Sequence, residues 1–399
     1  MGIIRLPGLI DPHVHLRVPG GEYKEDFVTG TRAALAGGFT SLLAMPNTNP
    51  PLVSLQRLRI AQNLAREQSL CDVFLYAGAA EAYIPELAAL AQEAIALKIY
   101  VNQTFGDLRL EGLSALMRVF EAWPAHKPIC FHAEGESIAA ALGLAQSYKR
   151  PVHICHVSRK DEIELIARAK RRGLQVSCEV TPHHLFLTEK DAARLGPLGD
   201  MRPLLQSEDD VQALWQAIGD GTVDCIGSDH APHTYWEKLG FASSEACAIA
   251  NAAGQGAEDI LRVDIQEIDF NAAQASAAAG QKAHPPRLGP KPAPPGVPGL
   301  ESTLPLMLSA VHDGQLTLER AIALMYTNPR RIFGLPEQPQ TWVEVDTESS
   351  YSFPDHPLYT KAAWSPFAGR KVTGRVLKTV LRGRLLYQNG QITENKMES

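Results

Sequence analysis

Two histidines separated by one residue, in the run Asp11-Pro12-His13-Val14-His15, are the first side chains in this sequence able to do chemistry together. Residues two apart on an extended strand share a face, so both imidazoles can offer nitrogen lone pairs to one cation. The pair alone is equally compatible with two solvated or hydrogen-bonded side chains. More donors recur at matching places, however: His132 ends one apolar run, His156 ends the next, and Asp229 follows the last in Ser228-Asp229-His230-Ala231-Pro232-His233. Four imidazoles and a carboxylate on one rim make a divalent-metal site, and such nitrogen and oxygen donors suit zinc.

Lys98 lies within Ala96-Leu97-Lys98-Ile99-Tyr100, among apolar neighbours that make an ammonium costly to bury. A lysine so placed often extends outward along its aliphatic stem. Beside cations, desolvation instead favours the neutral amine, which can take up carbon dioxide as a carbamate, a carboxylate able to bridge two metals. Two metals sharing a hydroxide lower the pKa of the parent water and polarise a carbonyl. Asp229 can then ligate one metal and carry the proton between nucleophile and leaving nitrogen. Arg17, two residues beyond His15 on the same face, presents a planar fork for a substrate carboxylate beside the metals.

The elements that must hold these groups are legible as eight short apolar runs: Leu6 to Asp11, Thr40 to Met45, Val73 to Ala77, Leu97 to Val101, Ile129 to Phe131, Val152 to Cys155, Gln175 to Cys178 and Val223 to Ile226. Between them, segments such as Tyr23 to Leu35, Leu55 to Arg66, Ile84 to Ala96, Leu113 to Phe120, Glu162 to Arg172 and Val211 to Ile218 carry apolar residues three and four apart. Strand and helix alternating eight times predict a (β/α)8 TIM barrel, whose sites gather at the C-terminal ends of its strands. An Ala-rich and then Pro-rich stretch at about 240–295 reads as an insertion that supplies no metal ligand. Helical patterns at Leu300 to Val311 and Leu318 to Tyr326 close the barrel near residue 335. The remainder, 336–399, reads as a small appended β unit with antiparallel strands, and a tail.

Composition excludes several classes of function. A chain of 399 residues, 45% hydrophobic and 21% charged, has the make-up of a folded globular protein. Thirty-eight basic against forty-four acidic side chains give a net charge of −6, with no field to draw nucleic acid or an anionic bilayer. The six scattered cysteines form no C-x-x-C, and no membrane span or leader is visible, so a reduced, cytoplasmic setting is expected.

With these residues in view, the sequence resembles the dihydroorotases of the cyclic amidohydrolase superfamily. The resemblance is carried by Pro7 to Arg17, Met45-Pro46-Asn47-Thr48-Asn49-Pro50, Leu97-Lys98-Ile99-Tyr100 and Ser228 to His233. Asn102-Gln103-Thr104-Phe105, Pro151 to Val157, Pro182-His183-His184-Leu185-Phe186 and Asn328 to Phe333 are similar to the dihydroorotase domains of animal multifunctional pyrimidine-synthesis polypeptides. The resemblance implies a site of two Zn2+ held by His13, His15, His132, His156 and Asp229 and bridged by carboxylated Lys98. It implies Arg17, Asn47, Arg202, His233, Thr104 and Phe105 as substrate contacts, the last two on a lid over 102–109. It further implies reversible cyclisation of N-carbamoyl-L-aspartate to L-dihydroorotate, with Asp229 as general acid and base. A homodimer is expected, and so is a place in a multienzyme polypeptide, which a start so close to the first strand would suit. Relatives also suggest a further zinc near Cys155 and Glu179, although a cysteine there is more often simple core. Val18 departs from the family's usual glutamate. The alternatives are another cyclic amidohydrolase, a dihydropyrimidinase or allantoinase, and a catalytically inactive scaffold.

Overall fold

The run read as the first barrel strand divides at Gly8. In the computed structural model, which describes residues 2–103, 108–240 and 292–393, β1 (Ile3–Pro7) and β2 (Leu9–Val14) belong to different sheets. A Cβ on Gly8 would lie 2.3 Å from Thr40 Oγ1, so the chain passes between the sheets where only glycine fits. Leu6 therefore belongs to the appended unit, and the barrel begins at Leu9.

The barrel strands follow in chain order: β2, β3 (Phe39–Ala44), β4 with β5 (Asp72–Leu75 and Ala77–Gly78, one strand interrupted at Tyr76), β6 (Leu97–Tyr100), β7 (Ile129–His132), β8 (Val152–Ile154), β9 (Val176–Val180) and β10 (Cys225–Ile226). Their pairings are parallel, in the orders β2-β3-β4 and β5-β6-β7-β8-β9-β10. The last strand returns to the first through a parallel bridge between Val14 and His230, with His15 N donating to His230 O at 2.7 Å. Every residue of β2, β3, β6 and β7 is buried, as continuous apolar runs covered by helices require.

The helices agree with the periodic pattern where start signals are strong. Helix Phe27–Ala36 starts later than the pattern from Tyr23 because Asp26 and Thr29 form a capping box. The pattern at Ile84 to Ala96 yields only a 3-10 turn, Glu81–Glu86, and a short helix, Leu87–Leu90, since Pro85 removes an N–H donor within it. Helix Leu300–His312 forms as read, whereas Leu318–Ile322 passes into a π turn, Ala323–Thr327.

The C-terminal segment forms the expected antiparallel sheet: β11 (Trp342–Ser352), β12 (Lys371–Leu381), β13 (Arg384–Gln388) and β14 (Gln391–Ile392), with β1 added at its edge beside β11. Gly374 allows β12 to lie against helix Leu300–His312, since a Cβ there would come within 2.4 Å of Leu308 Cβ. Thr379 Oγ1 donates to Leu35 O at 2.7 Å, satisfying a carbonyl near the end of helix Phe27–Ala36. Val343 and Val345 of β11 join the main core cluster of the barrel. No helix among the described residues is long and apolar enough to cross a membrane.

One buried cation secures the turn between helix Leu113–Ala122 and β7. Arg150, 2% exposed, donates to Phe120 O, Trp123 O and Pro124 O, each at 2.7 Å. The charge suits the carbonyl end of the helix. Arg150→Met keeps the stem and strands these carbonyls, so it is expected to cost about 2–4 kcal/mol. Urea unfolding would register this as a lower midpoint at unchanged slope, and a loss below about 0.5 kcal/mol would mean that water replaces the guanidinium.

Candidate metal centre and active site

The C-terminal ends of the strands bring the predicted donors together. His13 is on β2 and His15 just past it, His132 ends β7, His156 lies beyond β8, and Asp229 lies beyond β10. The Asp229 carboxylate is 3.3 Å from His13 Nε2 and 3.2 Å from His15 Nε2. The ring of His156 is 5.2 Å from that of His13 and 4.6 Å from that of His132. Donor atoms of His13, His156 and Asp229 all lie within 4.8 Å of one another, close enough to hold one metal ion. Lys98, on β6, is fully buried, with its Nζ 5.4 Å from the Tyr100 ring centre.

The polar atoms of this cluster fit divalent cations. Lys98 Nζ, His132 Nε2 and His156 Nδ1 are buried without a hydrogen-bond partner among the described residues. Such groups are expensive unless something else satisfies them. Burial pushes His15 down to about 4 despite its bond to Asp229, and burial with the Lys98 charge pushes His132 down to about 3. His156 is also held well below the usual range by burial and His132. Burial would raise the Asp229 carboxyl, but His13 and the His15 hydrogen bond outweigh it and keep it ionised. Neutral imidazoles and an ionised carboxylate are the forms that bind metal.

The remaining predicted contacts surround a pocket with about 390 Å³ of empty space, open to solvent and lined by Arg17, Asn47 and Arg202 together with His13, His15, His132, His156 and Asp229. Asn47 Oδ1 is 2.8 Å from His15 Nδ1, so Asn47 also fixes how His15 turns. Arg17 is only 6% exposed, and burial lowers its pKa to about 10, which leaves it charged at neutral pH. Its Nε donates to Pro232 O at 3.2 Å, and its Nη2 is 3.2 Å from His233 Nε2. His233 is buried behind Arg17, also bonded to Lys24, while Arg202 sits at the mouth, paired with Asp200. Thr104 and Phe105, and all but the margins of the 240–295 insertion, lie outside the described residues.

Arg17, His156 and Asp229 have positive φ values of 62°, 36° and 44°. Left-handed backbone at residues with a Cβ is uncommon and clusters at functional sites. Spacing arguments cannot anticipate it.

Further participants lie outside the principal donor set, and of these only Glu179 and Cys155 are singled out by the sequence, as a candidate further metal site. Glu179 Oε1 accepts from His13 Nδ1, and its Oε2 is 3.0 Å from His153 Nε2, so one buried carboxylate sets the orientation of His13. His13, Cys155 and Glu179 form a second group with metal-binding spacing. Asp11 accepts from His13 N at 3.1 Å and Ser228 N at 3.0 Å, fastening β2 to the loop after β10, and burial raises its pKa to about 7. Tyr100 lines the pocket. The positions of Asp11 and Glu179 at strand ends were the available signal, but apolar flanks concealed their partners.

Fold and site define a class: residues 4–263 match the Amidohydrolase family, and the chain belongs to it. The resemblance to dihydroorotases holds over nearly the whole sequence. The chain is 44% identical over 391 residues to multifunctional protein CAD of Squalus acanthias, covering 98% of this chain and 15% of that protein. It is 41% identical to multifunctional protein pyr1-3 of Dictyostelium discoideum, covering 99% and 16%. To the dihydroorotase of Pyrococcus furiosus it is 32% identical, covering 98% and 83%. The chain thus spans about a sixth of the two multifunctional relatives. Among solved structures, the L-hydantoinase of Arthrobacter aurescens has a TM-score of 0.81 at 23% identity, covering 98% and 87%, a likeness of fold. The inactive dihydroorotase-like domain of a Chaetomium thermophilum CAD-like protein has 0.71 at 25%, covering 98% and 97%.

The depressed histidines set the stability of the metal-free protein. His15, His132, His156, His183, His184 and His233 all bind protons more weakly when folded. The unfolded chain therefore gains protons first as pH falls below about 6.5, and stability drops until the folded values are reached. Asp11 and Glu301, raised to about 7 and about 8, and Glu134 and Glu162, also raised by burial, act in the opposite sense but are outnumbered. The urea midpoint of metal-free protein should fall between pH 6.5 and pH 5, and a flat or rising midpoint would contradict the protonation states assigned here.

Proposed function

We propose that the chain is a zinc-dependent dihydroorotase, closing N-carbamoyl-L-aspartate to L-dihydroorotate and reopening it. The observation that carries this reading is Arg17: a buried guanidinium lines the same pocket as the convergent imidazoles, so an anionic group is recognised beside the reacting centre. His13, His15, His132, His156 and Asp229 would hold two Zn2+, bridged by a carboxylated Lys98. When bound, the metals supply Lewis acidity to the scissile carbonyl and acidity to a water.

The protein's own groups do the rest. Arg17 binds the substrate carboxylate and fixes the face of the ring presented to Asp229, with Asn47, Arg202, His233, Thr104 and Phe105 as further contacts. In ring opening Asp229 accepts a proton from the attacking water and delivers it to the ring nitrogen as the C–N bond breaks. In ring closure the amide nitrogen attacks the carboxylate carbon and loses its proton to Asp229, which passes it to the departing oxygen; with one further proton from solvent that oxygen leaves as water, so ring closure consumes a proton. An uncharged dihydropyrimidine would not need Arg17, and the full donor set distinguishes the chain from an inactive scaffold. The names of the multifunctional relatives support a place in a pyrimidine-synthesis multienzyme. Of the expected division at residues 1–335 and 336–399, we assign the first part from Leu9 onward to the barrel and the second, with β1 added to its sheet, to the β unit and tail, with a homodimeric assembly in the cytoplasm.

Turnover of dihydroorotate with metal analysis tests this directly. Lys98→Ala should lose nearly all activity and part of the bound zinc, and intact-mass analysis of the native site should find Lys98 carrying carbon dioxide. An active protein with unmodified Lys98 would remove the bridge. Arg17→Met should lower kcat/KM for dihydroorotate by at least about 30-fold, roughly 2 kcal/mol, yet change turnover of a ring lacking the carboxylate far less. Equal losses on both would make Arg17 structural.

A further inference from the structure

Asp229 needs to be held where its backbone does not readily stay. Its φ of 44° is left-handed, and the side chain is useful only while its carboxylate remains beside His13 and His15. The residue that follows it is tied through its backbone and through both ring nitrogens. His230 N donates to Ser228 Oγ at 3.0 Å, and its carbonyl accepts from His15 N at 2.7 Å. Its ring is fully buried, with Nδ1 accepting from Gly299 N at 3.1 Å and Nε2 3.1 Å from Glu25 Oε2.

These partners fix the tautomer. Nδ1 faces a backbone N–H and must be an acceptor, so the proton sits on Nε2 and is donated to Glu25. Glu25 is itself fully buried and shared by three parts of the chain. Its Oε2 also accepts from Thr360 Oγ1, and its Oε1 accepts from Thr29 Oγ1, Asp26 N and Lys361 N. Thr360 and Lys361 lie between β11 and β12 of the appended sheet. A carboxylate is the one side chain of this length that accepts from all these donors without offering any of its own.

We propose that Glu25, acting through His230 and anchored by Thr360, is a positioning residue that keeps Asp229 in its left-handed conformation, which gives the C-terminal unit a part in the active site. The inference rests on the proton-carrying role proposed for Asp229. Displacement of such a group by about 1 Å can cost 10²-fold in rate.

Glu25→Gln places an amide donor against donors and should lower kcat at least tenfold while KM and zinc content change less than twofold. Thr360→Val, the milder variant, should lower kcat about two- to fivefold. The double variant should lose little more than Glu25→Gln alone, because both act through one carboxylate. A crystal structure of metal-free Glu25→Gln should find Asp229 out of the positive-φ region. Unchanged kcat in either folded variant, strictly multiplicative losses, or Asp229 still at positive φ in Glu25→Gln would overturn the proposal. Should the wild-type protein fail to turn over dihydroorotate, the functional reading fails, while the Asp229 conformation in the variant still decides whether Glu25 holds it.

Discussion

The mouth of this barrel is organised by one electrostatic constraint: lone pairs of several neutral imidazoles, an ionised carboxylate and a lysine are packed together where water is largely excluded. Lys98, His132 and His156 retain unsatisfied polar atoms there. A hydrophobic core would not keep such atoms, because each costs free energy that packing alone does not return. Divalent cations would convert that cost into binding energy, and the surrounding side chains hold the donors in fixed orientations. Glu179 turns His13, Asn47 turns His15, and Asp11 ties β2 to the loop that carries Asp229.

The appended sheet is part of the same arrangement. It borrows β1 from the start of the chain, so the strand carrying His13 is fixed from behind as well as by its barrel neighbours. Trp364 Nε1 donates to His233 O at 2.8 Å, and Thr360 reaches Glu25. A small unit placed beside the barrel thereby touches His233, which lies behind Arg17, and Glu25, which binds His230 next to Asp229.

Much of this was legible in the sequence because it depends on local rules. Eight apolar runs give the barrel, and strand-end positions place His13, His132 and Asp229 on one rim. What escaped depends on tertiary contact. The division of the first run at Gly8 is set by the approach of Thr40, and the short helix after Pro85 by a missing donor. Glu179 could be placed at the rim beside Cys155, but its bonds to His13 and His153 could not be read, because those partners come from other strands. Glu25 lies in a polar stretch before a capping box, where a solvated side chain is the ordinary outcome, and only the folded chain brings His230 and Thr360 to it.

The same logic bears on the long Ala- and Pro-rich stretch. Its two flanks meet at a single buried ammonium: Lys238 Nζ donates to Pro294 O at 3.0 Å, to Gly296 O at 3.1 Å and to Asp200 O at 2.7 Å. Burial pulls that lysine down to about 7, so its three carbonyl partners are what make the charged form tolerable. Gly296 stands at φ 134°, and a Cβ there would come within 2.5 Å of Ala231 O, which lets the returning flank press against the loop after β10. Pro295 and Gly296 line the pocket themselves. The wall of the pocket at Pro295 and Gly296 is therefore fixed by these two flanks, held together through Lys238.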